Sequence, residues 1–214
     1  LESMDQAHPV LAEEEPDVDL AALAAQLGRF LFFAGRHELA MERNEAALEM
    51  AEALSLPETL SHALNTKSLY LVSHGRKSEG LALLRHALEV ALEHDKPSPA
   101  MRGYFNLSDM LCHVDRYEDS YTCVREGIAY AQRVGSRRYE LQFLAQTYSL
   151  FALGKWDELI EWTALLPQEN WRDARQAYST VAGVGVAVNV LRGRLDEAQR
   201  ISSLLQEFAT STDD

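Results

Sequence analysis

A short string of glycine or aspartate, then a basic residue, then an acidic or small polar pair, recurs five times at almost constant spacing. It begins at Gly35, Gly75, Asp115, Gly154 and Gly193, so successive copies are 40, 40, 39 and 39 residues apart. Glycine and aspartate tolerate a positive φ, and negative charge just after a turn suits the N-terminal dipole of the helix that follows. Each string therefore reads as the corner of a helical hairpin. A chain built from one supersecondary unit copied every 40 residues grows along an axis rather than around a single core.

The flanks repeat in the same register. Seven residues before the corner stand Gly28, Ser68, Ser108 and Thr147, and four before it stand Leu31, Leu71, Leu111 and Leu150. After the corner, the first three copies align Ala40, Gly80 and Ser120, then Asn44, Leu84 and Val124, then Ala47, Ala87 and Gly127. These offsets trace one face of an α-helix, and its small residues let two helix axes approach closely. Pro57, Pro97, Pro99, Gly135 and Pro167 break the longer connections expected between hairpins. The pattern predicts helices over residues 18–34, 37–54, 58–74, 77–94, 99–114, 117–134, 137–153, 156–166, 171–192 and 195–209. The fold class is all-α: an α-solenoid of about five antiparallel helix pairs, in units 18–56, 57–96, 97–135, 136–169 and 170–209.

Composition narrows the class further. Thirty-three acidic side chains against 20 basic give a net charge of −13, a poor match to phosphate backbones or anionic lipid. Direct nucleic-acid binding and membrane association are therefore not expected. Two cysteines demand no oxidising compartment, no stretch reaches the roughly 20 apolar residues of a membrane-spanning helix, and the acidic start lacks a secretory signal. The expected location is cytoplasmic.

The small residue and the Leu before each corner, the Gly-basic-x-acidic corner and the small residue after it resemble the tetratricopeptide repeat. The resemblance runs over residues 18–209 and is weakest around the fifth corner, where Asn189 takes the Leu position. The usual repeat has about 34 residues, so helices or inter-unit loops here must be longer. The resemblance implies a right-handed superhelix whose inner groove is lined by the first helix of each pair and receives peptides or partner helices. Long-period arrays with such corners resemble those of bacterial signalling ATPases and LuxR-type transcription regulators. That implies a protein-interaction module within a larger regulator; an effector sensor binding a small molecule or signalling peptide is the alternative.

In that family the inner-face positions fall about 13, 10, 6, 3 and 2 residues before each corner. They select Arg29, Phe32, His62, Asn65, Leu69, Arg102, Phe105, Asp109, Tyr148 and Phe151 as candidate ligand contacts. The family's two-carboxylate clamp is absent: its Lys, Asn, Asn, Lys and Arg positions carry Ala25, Arg29, Thr66, Arg102 and Asn106. Arg29 and Arg102 retain the capacity to hold an acidic peptide group through charge-assisted hydrogen bonds.

Catalysis, metal and cofactor are not expected. None of the seven histidines forms an i, i+4 pair, and His74 and His113 read as residues complementing helix C-termini. Cys112 and Cys123 form no CxxC, and phosphate-binding and nucleophile-elbow motifs are missing. Trp156, Trp162 and Trp171 cluster around the fourth unit as bulky core fillers. Residues 1–17 read as an acidic linker or arm and 210–214 as a tail. The apolar run Val181, Val184, Val186, Val188, Val190 and Leu191 is expected to be covered by further repeats or a second copy.

Overall fold

The computed structural model describes residues 16–164 and 175–210. The acidic arm up to residue 15, Pro167, Trp171 and residues 211–214 lie outside them. Among the described residues there are eleven helices and no strand. They are α1 (Val18–Phe33), α2 (His37–Ala53), α3 (Pro57–Ser73), α4 (Lys77–Glu93), α5 (Pro97–Cys112), α6 (Tyr117–Arg133), α7 (Arg137–Leu144), α8 (Tyr148–Ala152), α9 (Trp156–Ala164), α10 (Arg175–Leu191) and α11 (Leu195–Thr210). The chain divides into two compact units, Leu1–Leu107 and Ser108–Asp214. The all-α architecture of antiparallel pairs is the tetratricopeptide type.

Every corner residue takes the left-handed conformation: Gly35, Gly75, Gly154 and Gly193 at φ of 70 to 80°, and Asp115 at 59°. The connections between hairpins do the same at Ser55, Asp95 and Gly135. Contrary to expectation, these connections are no longer than the corners, since both leave three residues between helices. Each closes identically, with an amide two residues past the helix reaching back five positions: Arg36 to Leu31 O at 2.9 Å, Leu56 to Ala51 O at 2.8 Å, Lys96 to Ala91 O at 2.8 Å. This is the Schellman closure. The long period therefore comes from longer helices, mostly of 16 or 17 residues. Pro57 and Pro97 begin helices rather than break loops; at the first helical position the missing N–H has no intrahelical partner to lose.

In the first unit, α1 packs on α2 and α3 on α4, with further contacts of α3 to α2 and α1. Ala24, Ala25, Ala47, Leu48, Ala63, Leu64 and Ala87 form a core of mostly small side chains. The hairpin crossings are tight. A Cβ on Gly28 would lie 3.1 Å from Ala40 O, and one on Gly80 would lie 2.8 Å from Ser68 O.

In the second unit, Ser120 Oγ donates to Ser108 O at 2.7 Å across the α5–α6 crossing. The fully buried Phe143 fills the space that a side chain at position 127 would need, since a Cβ on Gly127 would lie 2.7 Å from its ring. The continuous helix expected over 137–153 is instead broken at residues 145–147. There Gln146 N bonds to Phe143 O and Thr147 N to Ala145 O, both at 2.9 Å, in place of the four-residue helical step. Trp162 is buried and Trp156 half-buried, while Val190, Leu191 and Leu195 are exposed.

Candidate functional site

In the first unit, the first helices of successive hairpins, α1, α3 and α5, bring Arg29, His62, Asn65 and Arg102 into one polar cluster. The 40-residue register accounts for this: His62 and Arg102 both stand thirteen residues before a corner, on neighbouring first helices. Arg102 is only 7% exposed. Its guanidinium donates to Thr66 Oγ1 at 2.9 Å, to His62 O at 3.2 Å and to His62 Nδ1 at 3.4 Å. A guanidinium accepts nothing, so Nδ1 is the unprotonated ring nitrogen in this contact.

Burial, then the Arg102 charge, then the Arg29 charge, lower the His62 pKa from 6.5 to about 4. The imidazole is thus neutral near pH 7, and the positive charge of the cluster resides on the two arginines. Asn65 is buried, and its Oδ1 accepts from Asn106 Nδ2 at 2.7 Å. Asn65 Nδ2 and Arg29 Nε are shielded from water without a hydrogen-bond partner. Buried donors of this kind favour an incoming acceptor.

The remaining candidates of this unit lie differently. Leu69 is buried, and Phe105 is half-buried. Phe32 stacks on His37 with ring centroids 5.2 Å apart. His37 meets His74 edge-on at 5.6 Å, and His74 stacks on Tyr70 at 4.1 Å. Sequence reasoning missed this ladder because its members come from both sides of two corners. His74 caps α3, with Nδ1 2.9 Å from Tyr70 O, as its position before the corner suggested.

In the second unit, Asp109 is exposed and pairs with His113 at 3.7 Å. Tyr148, 53% exposed, joins an aromatic strip with Tyr117 at 6.1 Å and Phe151 at 6.4 Å; Phe151 stacks on Trp156 at 6.2 Å. Tyr117 and Trp156, each two residues past a corner, were not among the candidates. The Tyr117 hydroxyl donates to Asp115 Oδ1 at 2.6 Å, and this hydrogen bond pushes its pKa up to about 12. A separate cleft of about 350 Å³ lies among α6, α7 and α9, with Ile128, Leu144 and Trp162 as its apolar lining and Arg125, Glu140 and Glu158 among its charged residues. Among the described residues no three His, Cys, Asp or Glu side chains gather as a metal site, and no helix is long and apolar enough to cross a membrane.

No protein-family model matches the chain, and no curated protein does. Solved structures do. BtubC (BKLC) from P. vanneervenii superposes with a TM-score of 0.79 at 14% identity, covering 99% of this chain and 89% of that one. A signal-transduction ATPase with numerous domains and a tetratricopeptide repeat sensor, from Pyrococcus horikoshii, gives 0.79 at 17% identity, covering 99% of this chain. A Rap protein complexed with Competence and Sporulation Factor gives 0.67 at 18% identity, covering 97% of this chain. The chain spans 34% of the ATPase and 57% of the Rap protein. At these identities the likeness establishes the fold: a tetratricopeptide-like stack of helix pairs.

Proposed function

We propose that this chain is a non-catalytic protein or peptide interaction scaffold, working in the cytoplasm as the repeat region of a larger signalling or transcription-regulatory protein. The observation that carries the reading is the cluster on α1, α3 and α5. Arg102, almost wholly buried and fixed by Thr66 and His62, stands with the water-shielded Arg29 Nε and Asn65 Nδ2 on the helices that line the groove in this fold. Desolvated, pre-positioned donors confer orientation at little entropic cost on binding. Two of the similar structures support a receiving role by their descriptions: one carries a tetratricopeptide repeat sensor, and the other is complexed with a factor.

The test is a peptide library screened against the chain by fluorescence anisotropy, followed by the double variant Arg29→Ala with Arg102→Ala. Loss of affinity of at least tenfold, with helical circular dichroism unchanged, is the expected result; unaltered affinity removes the site assignment. The cleft among α6, α7 and α9 favours a second reading, a sensor for a small effector, because its volume of about 350 Å³ lies within the usual range of ligand pockets. Stabilisation by a metabolite that Trp162→Ala abolishes and the arginine variants leave intact would select it.

A further inference from the structure

The same cluster narrows the chemistry of what it holds; the inference rests on the groove reading above. Arg29 and Arg102 bring two positive charges to bear on one imidazole, and the imidazole answers by staying neutral rather than by sharing the charge. Arg29 makes no ion pair among the described residues, and the contact recorded for it is with the Phe30 ring at 5.8 Å. The unused donors come from two different helices, Arg29 Nε–H on α1 and Asn65 Nδ2–H on α3, with the Arg102 guanidinium entering from α5. Asn65 cannot turn its amide over to satisfy itself, because Oδ1 already accepts from Asn106.

A ligand group matched to this arrangement has two negative charges to offset two guanidinium groups, and more than two acceptor oxygens to meet donors from three helices. A carboxylate brings one charge and two oxygens, whereas a phosphate monoester near pH 7 brings a charge of about −1.5 to −2 and three acceptor oxygens. Arginine clusters suit that geometry through bidentate bonds. We propose that Arg29, Asn65 and Arg102 form an oxyanion pocket for a phosphoryl group, carried by the peptide or effector that enters the groove. The global net charge of −13 confines such an anion to this local field and disfavours extended polyanions.

The probes are inorganic phosphate, free phosphoserine, a phosphoserine peptide and its unphosphorylated form, and acetate at matched ionic strength. The readout is the Arg29 Nε–Hε resonance in a ¹⁵N-labelled sample of the full chain. Phosphate is expected to shift it saturably, with affinity at least tenfold above acetate, and Arg29→Gln to weaken phosphate at least tenfold. A phosphoserine peptide binding more tightly than free phosphoserine identifies a peptide as the carrier; equal affinities identify a small effector.

A preference for phosphate over acetate below tenfold, or a linear response to both, overturns the proposal. Arg102→Gln risks misfolding because the side chain is buried, so the wild-type titration and the half-buried Arg29 decide the matter without it. Failure here is separable from failure of the groove reading. If phosphate does not bind while a library peptide still loses affinity in the double arginine variant, the groove stands and the phosphoryl pocket falls.

Discussion

The α3–α4 crossing sets up a comparison in which one substitution has opposite signs at two glycines. Gly80 and Gly183 both sit inside helices, α4 and α10, so replacement by Ala gains about 0.8–1 kcal/mol of helix propensity at either site. At Gly183 no atom lies within 4 Å of the added Cβ, so the whole gain is expressed. At Gly80 the Cβ falls 2.5 Å from Val72 Cγ2 and 2.8 Å from Ser68 O. The Val72 methyl turns away at small cost. Ser68 O is backbone, and relief there requires α3 and α4 to move apart along a packed interface. Overpacking of this kind costs about 1–3 kcal/mol. Subtracting one variant from the other cancels the propensity gain, so Gly80→Ala should lie about 1–3 kcal/mol below Gly183→Ala. Urea denaturation by far-UV circular dichroism reads this from midpoints, provided the slopes agree with the parent. Equal stabilisation by both variants would refute the close approach of α3 and α4, and with it the register assigned to the small residues.

Three further outcomes are expected. Asn44 is fully buried with both amide atoms unpartnered, where the next two copies carry the buried Leu84 and Val124; Asn44→Leu should therefore raise stability by about 1–3 kcal/mol in the same denaturation assay. Ser55 holds a φ of 54° at a position where the third unit uses Gly135, so Ser55→Gly should stabilise by about 0.5–1 kcal/mol in chemical melts. Burial and two arginines lower the His62 pKa from 6.5 to about 4, so between these values the unfolded chain binds the extra proton. Stability should accordingly fall as pH drops through that window, by up to about 2–3 kcal/mol; His62→Gln should flatten this part of the pH profile, and an unchanged profile would contradict the assignment.

Much of this was legible from the corners alone. Glycine or aspartate at 35, 75, 115, 154 and 193 announced positive φ, and the structure places all five there. The second set of turns was hidden because two of its three left-handed residues are Ser55 and Asp95, which carry no glycine signal, and the nearby prolines drew the reading toward loop breaking instead. At the site, register placed His62 and Arg102 on neighbouring first helices. It did not reveal that Arg102 would be buried or that Asn65 would be engaged by Asn106, because those facts depend on how far α3 and α5 interpenetrate. The groove rule likewise selected Leu69, whose burial reflects the same depth of packing.

The break at residues 145–147 follows from the rule that makes the other hairpins regular. Each hairpin carries a pair of residues at its crossing, seven before the corner and five after it. The pairs are Gly28 with Ala40, Ser68 with Gly80, and Ser108 with Ser120. The first two contain a glycine, and the third accommodates its extra atoms by turning them into the Ser120 to Ser108 hydrogen bond. The fourth pair is Thr147 with Leu159, two larger side chains, both fully buried. Two regular helices cannot close on that volume at the spacing the earlier pairs allow. The first helix of the hairpin gives way at this register, between α7 and α8. The cost appears locally, as shortened backbone hydrogen-bond steps and a buried Thr147 hydroxyl without a partner. Part of it is offset where Ser108 Oγ donates to the Gln146 side chain and pins the interrupted segment to α5. A single large residue at a crossing thus trades helical continuity for core volume.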